Sequence, residues 1–197
     1  MSVESPSPVE RFEATLAALE VSITRIDPDD EFAQCLETVV TEHGHDTDSV
    51  VGTPLPFSSA SLPDWVDDEP TPETLETATT GVTAASLGIA DYGSVVLPST
   101  AEGSEPVSLF PELHVPVLRE SDLVADMPTA IERLGPELRA GRSAIVATGP
   151  SATADMGALV TGAHGPKDVH VVLLEDGSTD TEGPEDDDAA AANGGKA

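Results

Sequence analysis

At 197 residues the chain is long enough for one sizeable hydrophobic core and short for two. Thirty-seven Asp and Glu against eight Lys and Arg give a formal net charge of −29. The arginines are scattered among acids, which excludes a nucleic-acid surface that reads phosphates. No apolar run approaches the ~18 residues that span a bilayer, and a single cysteine, Cys35, permits neither an internal disulfide nor a cysteine-built metal cage.

Hydrophobic residues make up 39% of the chain, but the aromatics are one Trp, one Tyr and four Phe, so the core must be aliphatic. So high a negative charge repels itself unless salt screens it. That balance predicts a protein of a halophilic archaeon, working in a salt-rich cytoplasm. The start, Met1-Ser-Val-Glu-Ser-Pro6, has neither the basic nor the apolar segment of a secretory signal.

Residues 1–8 read as a flexible leader. Val9 to Glu20 carries Phe12, Leu16 and Leu19 at helical spacing, and Val21 to Ile26 alternates as a short strand. Asp27-Pro28 predicts the start of a second helix, with Asp as cap and Asp29, Asp30 and Glu31 at the positive end of the dipole; it runs to Gly44. Ser49 to Gly52 is a strand, and 53–72, rich in Pro, Ser and Asp, a surface connection around Trp65. Thr71-Pro72-Glu73 restarts a helix. From Gly81 the sequence predicts a turn, a strand at Leu87–Ala90, a turn at Asp91-Tyr92-Gly93 and a strand at Ser94–Leu97.

Residues 99–108 read as a polar loop. His114 to Leu118 is strand-like, with Pro116 arguing for a sheet edge. Asp122 to Leu138 is helical with a break at Gly135-Pro136, Ser143–Thr148 a buried strand, Thr153–Thr161 a helix start, and Val169–Leu174 a final buried strand. Beyond Glu175 the Asp-, Gly- and Ala-rich stretch 176–197 lacks the apolar surface to fold and is expected to be a disordered acidic tail. Apolar runs alternating with helical patterns predict an α/β domain over 9–175, with a largely parallel sheet flanked by helices.

Open α/β sheets bind ligands beyond the carboxyl ends of their strands. Ala144–Ala147 runs into Thr148-Gly149-Pro150-Ser151-Ala152-Thr153-Ala154-Asp155. There Gly149 permits close backbone approach, and Ser151, Thr153 and Asp155 border an expected helix N-terminus suited to an anion. Ser151 and Thr153 are more simply plain helix caps, a very common use of these residues. His164, flanked by Gly162 and Gly165 before a buried strand, suits an acid–base or ligand-donor role and suits a turn residue equally well. Asp91 reads as a site carboxylate or a turn former, and His170 as a satisfied histidine of the sheet. His43 and His45 lack a third partner for a metal, and no metal site is expected. There is no nucleophile elbow and no HExxH, so the residues alone define no enzyme.

Several ordered blocks together resemble the LUD-domain family of lactate utilisation proteins. Gly81 to Leu97 follows the pattern G-[IV]-T-x-A-x-x-x-[IV]-A-[ED]-x-G-[ST]-[LV]-V-L. Ser108 to Val117 is similar to S-L-x-P-x-x-H-[IV]-x-V, and Gly149 to Asp155 and Gly162 to Pro166 resemble the closing segments. The family's usual G-P-S-R-T-A-D has Ala152 in place of its Arg, Gly157 stands where an acid commonly follows, and Glu-Thr-Gly becomes Asp91-Tyr92-Gly93. Losing that Arg removes a bidentate anion donor.

The resemblance implies the fold shared by glucosamine-6-phosphate deaminase, ribose-5-phosphate isomerase and CoA transferases. It also implies an accessory role in oxidation of L-lactate to pyruvate beside iron–sulfur partner proteins, with no cofactor of its own. One cysteine cannot ligate a cluster in the usual four-thiolate manner, so the clusters would sit on the partners. The ligand set expected from these readings is Thr83, Asp91, His114, Gly149, Ser151, Thr153, Asp155, His164 and Gly165, around a small anion at strand C-terminal ends. The alternative is a stand-alone module or enzyme of the CoA transferase-like superfamily, binding a small carboxylate, a sugar phosphate or a CoA-linked ligand.

Overall fold

The computed structural model describes residues 6–28, 30–155 and 158–176, with the backbone alone at 154–155 and 158–159. The expected acidic tail and most of the leader therefore lie outside the described residues.

Helix α1 (Pro8–Ala18) begins where the sequence places it. The Ser7 hydroxyl accepts from the Glu10 amide, the Glu10 carboxylate accepts from the Ser7 amide at 2.7 Å, and Pro8 occupies the first turn. Val9, Phe12 and Leu16 form its buried face. After β1 (Ser22–Ile26) comes α2 (Phe32–Glu42), which starts four residues later than Asp27-Pro28 predicts. Asp27 and Asp30 instead close a turn. Starting at Phe32 puts Phe32, Leu36, Val39 and Val40 on one buried stripe, and that burial sets the start of the helix.

Strand β2 (Val50–Gly52) leads into 53–71, which is more than a surface connection. Ala60 and Val66 are buried, and Leu55, Phe57, Leu62 and Trp65 pack on the α2 side of the core. Asp67 is stitched to the backbone of β2. Helix α3 (Pro72–Thr77) is capped by Thr71.

The predicted turn at Gly81 is instead inside a strand, β3 (Thr80–Ala84). Its glycine is needed for a different reason: a Cβ there would lie 2.0 Å from the carbonyl oxygen of Val107. Strands β4 (Leu87–Ile89) and β5 (Ser94–Pro98), with the expected turn between them at Gly93 (φ +59°), pair antiparallel. The expected polar loop contains helix α4 (Ser104–Leu109), the element that crosses Gly81.

Strand β6 (Leu113–Arg119) sits in the centre of the main sheet despite Pro116. Its pairing with β11 (Asp168–Leu174) lapses at Val115 and Pro116 and resumes at Val117, so the missing N–H interrupts one ladder without moving the strand to the edge. A two-residue β7 (Leu123–Val124) precedes α5 (Met127–Arg139), which starts at the Asp126 cap and passes Gly135-Pro136 unbroken. Strand β8 (Ala144–Thr148) is a half-exposed edge, not a buried strand. The expected helix at 153–161 is replaced by strands β9 (Ala152–Asp155) and β10 (Ala158–Thr161), paired antiparallel with Thr153 opposite Val160.

The main sheet is all parallel in the order β1-β11-β6-β3-β2, as expected for the α/β class. Side chains alternate across it. Leu113, Val115, Val117, Val172 and Leu174 face α2, while Leu118, Val171 and Leu173 face α1 and a second sheet, β7-β4-β5-β8. Helix α5 closes the far side of that second sheet through Ala130, Met127 and Leu134. Among the described residues no helix is long and apolar enough to cross a membrane.

Candidate functional site

Segments far apart in sequence meet at one cavity of about 230 Å³. Its rim comes from three places: Ser108 and Leu109 at the end of α4, with His114 early in β6; Thr148 to Ser151 after β8; and His164 to Pro166 before β11. Its walls are apolar, from Leu16, Val21, Val95, Leu97, Ile145, Ala147, Val169 and Val171. Gly149, at φ +63°, turns the chain sharply out of β8. The turn is then tied down: the Ser151 amide donates to the Pro166 carbonyl at 2.8 Å, and the Gly162 amide to the Ser151 carbonyl at 2.9 Å. Gly165 lets these two loops approach, since a Cβ there would stand 3.1 Å from the Ser151 Cβ.

This cavity lies at the carboxyl end of β8 but at the amino ends of β6 and β11. The expectation of a site at strand carboxyl ends therefore describes it at β8 but not at β6 and β11. Nor does a helix follow Ser151, so the helix-dipole argument for an anion falls with the helix.

His114 is the buried polar group of the site, 2% exposed. Its Nε2 is 2.9 Å from the Thr83 hydroxyl, which lies fully buried behind it on β3. Burial pushes its pKa down to about 3, so the ring is a neutral imidazole near neutrality, with one nitrogen donating and the other accepting. The Thr148 hydroxyl pairs with Ser94 at 2.6 Å, and the Ser108 hydroxyl donates to the Glu105 carbonyl. No charged side chain is among the described lining residues. The site can therefore hold a small molecule by neutral hydrogen bonds against apolar walls. Among the described residues no group of three or more His, Cys, Asp or Glu is placed to hold a metal ion.

Of the residues expected from sequence, His114, Gly149, Ser151, His164 and Gly165 line the cavity and Thr83 backs it. Asp91 does not line it; it sits in an exposed turn, paired with Arg11 at 2.8 Å. Thr153 lies on β9 outside the lining, and the Asp155 side chain lies outside the described atoms, as does Gly157. Ala152 is exposed at the start of β9. Ser108 and Thr148 open two of the blocks quoted above but stand outside the expected ligand set, and no motif marks the apolar wall from α1.

A sequence profile of the LUD domain matches residues 9–174. The chain is 30% identical over 127 residues to lactate utilization protein C of Deinococcus radiodurans, covering 62% of this chain and 59% of that protein. It is 33% identical over 130 residues to lactate utilization protein C of Shouchella clausii, covering 64% and 57%, and 37% identical over 106 residues to the uncharacterized protein YkgG of Escherichia coli, covering 51% and 46%. It thus spans about half to three-fifths of the length of these relatives. A crystal structure of a DUF162 family protein from Deinococcus radiodurans superposes with a TM-score of 0.64 at 19% identity, over 86% of this chain and 99% of that one, a likeness of fold. With the profile covering nearly every described residue, the chain belongs to the LUD domain family.

Proposed function

We propose that this protein is an accessory component of L-lactate oxidation to pyruvate, holding a small carboxylate in the cavity at the amino ends of β6 and β11 while iron–sulfur partner proteins carry the electrons. The names of its relatives support a role in lactate utilization. The observation that carries the finer reading is the closure of three sequence-distant segments, 108–114, 148–151 and 164–166, on one cavity of a size suited to a small metabolite. Ser151 and the rim residue His164 supply the hydrogen bonds, and the neutral His114 fixes the floor. Cys35, the sole cysteine, is half-buried, and its thiol is pushed up in pKa by burial and by Asp30 and Glu42, so redox clusters fall to partners.

The uncharged lining favours one alternative, a stand-alone binding module for a small carboxylate, over a hydrolytic or isomerase activity, which would need an acid–base pair. A tagged pull-down from the native host in multimolar KCl, with mass spectrometry and an iron assay, separates the two. Recovery of cysteine-rich iron–sulfur proteins supports the accessory role. An iron-free protein recovered alone rules it out and leaves the binding module.

A further inference from the structure

A second cavity, of about 480 Å³, lies at the opposite end of the parallel sheet and shares no lining residue with the first. It opens because neighbouring strands leave the sheet in opposite directions. The chain after β2 turns toward α2, where Leu55 and Phe57 pack, whereas the chain after β3 turns to the other face, where Ala85 packs. Such a divergence at the carboxyl ends of parallel strands is where open α/β sheets make ligand crevices, and the volume falls within the roughly 300–1,000 Å³ of small-molecule sites.

We propose that this crevice binds an organic monocarboxylate with an apolar body, its carboxylate held by Arg119. Arg119, the last residue of β6, is the one cation among the described lining residues. Its guanidinium carbon stands 5.7 Å from the Phe57 ring centroid, and its Nε donates to Asp122 at 2.8 Å. Those two contacts fix the plane of the fork. They leave the terminal edge, Nη1 and Nη2, without a hydrogen bond among the described residues. That edge matches a carboxylate bidentately.

Leu55, Phe57 and Pro98 give the apolar wall for the rest of the ligand. Asp122 and Glu102 also face the crevice, so a phosphate monoester, near −2 at neutral pH, meets one cation and two acids. A monoanion meets less repulsion, and that selects carboxylate over phosphate.

The test is isothermal titration of the full chain in molar KCl with 2-naphthoate and with its neutral counterpart, 2-naphthylmethanol. The acid is expected to bind at least tenfold more tightly than the alcohol. Arg119→Gln should bring the acid down to the alcohol's affinity without altering the alcohol's, and Arg119→Lys, which keeps the charge and loses the fork, should weaken the acid at least threefold. His164→Ala should leave both titrations unchanged. Equal binding of acid and alcohol, or full acid binding by Arg119→Gln, overturns the proposal. Loss of acid binding in His164→Ala also overturns it, by placing the probe in the other cavity. None of these outcomes depends on partner recovery, so the accessory role stands or falls separately.

Discussion

The two ends of the parallel sheet are built from different materials. At the amino end the cavity is lined by backbone turns, hydroxyls and neutral imidazole, with no formal charge among its described lining residues. At the carboxyl end one arginine and two acids stand over a largely aliphatic and aromatic wall. The first end is made of short contiguous strings such as Gly149-Pro150-Ser151 and His164-Gly165-Pro166, joined by the hydrogen bond from the Ser151 amide to the Pro166 carbonyl. The second is made of single residues that separate loops bring together. A neutral site discriminates by shape and hydrogen-bond geometry, whereas a charged one gains attraction that salt erodes. On the proposed readings the same sheet carries two recognition modes, and α4 joins the two cavities, lending Ser104 to one and Ser108 and Leu109 to the other.

That junction gives the largest expected effect. Gly81→Ala drives a Cβ into the Val107 carbonyl and must displace α4, costing at least ~3 kcal/mol in a denaturant titration and weakening both cavities together. Loss at one end only would separate the two sites more than α4 allows.

Acid should act on the amino end. Because burial holds His114 at about 3 against an ordinary 6.5, the unfolded chain takes up a proton that the folded chain refuses. The stabilisation is complete above pH 6.5 and falls by up to ~1.4 kcal/mol per pH unit as pH drops toward 3. His170, at about 4 through burial and the neighbouring His43, adds to the same slope in its upper part. Replacing His114 by Gln should flatten the slope of stability against pH between 6 and 4; an unchanged slope would mean that the ring is not buried as a neutral group.

Salt should act on the whole chain. Transfer from multimolar to 0.1 M KCl is expected to lower stability by about 1–2 kcal/mol, roughly 4 °C in thermal midpoint, through self-repulsion of a −29 chain. A midpoint indifferent to KCl would remove the proposal of a salt-accumulating host. The smallest effect on stability belongs to the rim. His164 is exposed, so His164→Ala should change unfolding by no more than ~0.5 kcal/mol while weakening lactate binding at least tenfold. A variant that unfolds instead would make His164 a turn residue with a structural role.

What could be read from sequence tracks how local the physics is. Phe12 and Leu16 announce α1 because helical spacing is local, and the stripe Phe32, Leu36, Val39, Val40 announces α2 even though Asp27-Pro28 points to the wrong start. Gly81 was legible as important but not as strand: the reason for its missing side chain is Val107, on an element that reads as loop. Ala152 to Thr161 carries the small and β-branched residues of a hairpin, yet its hydroxyls before an apolar run also fit a capped helix. The candidate site was largely legible because motif strings line it. Arg119 and Phe57 lie 62 positions apart by their numbers, with no local pattern joining them, so the carboxyl-end crevice was not.

The most direct test of the proposed role is L-lactate-dependent dye reduction by the salt-stable assembly isolated from the native host, with this protein supplied either as wild type or as His164→Ala. The account predicts reduction with the wild type and at least a tenfold loss with His164→Ala, while the same partners and iron are recovered in both. Equal reduction by the two proteins would contradict it and remove the amino-end cavity from lactate oxidation.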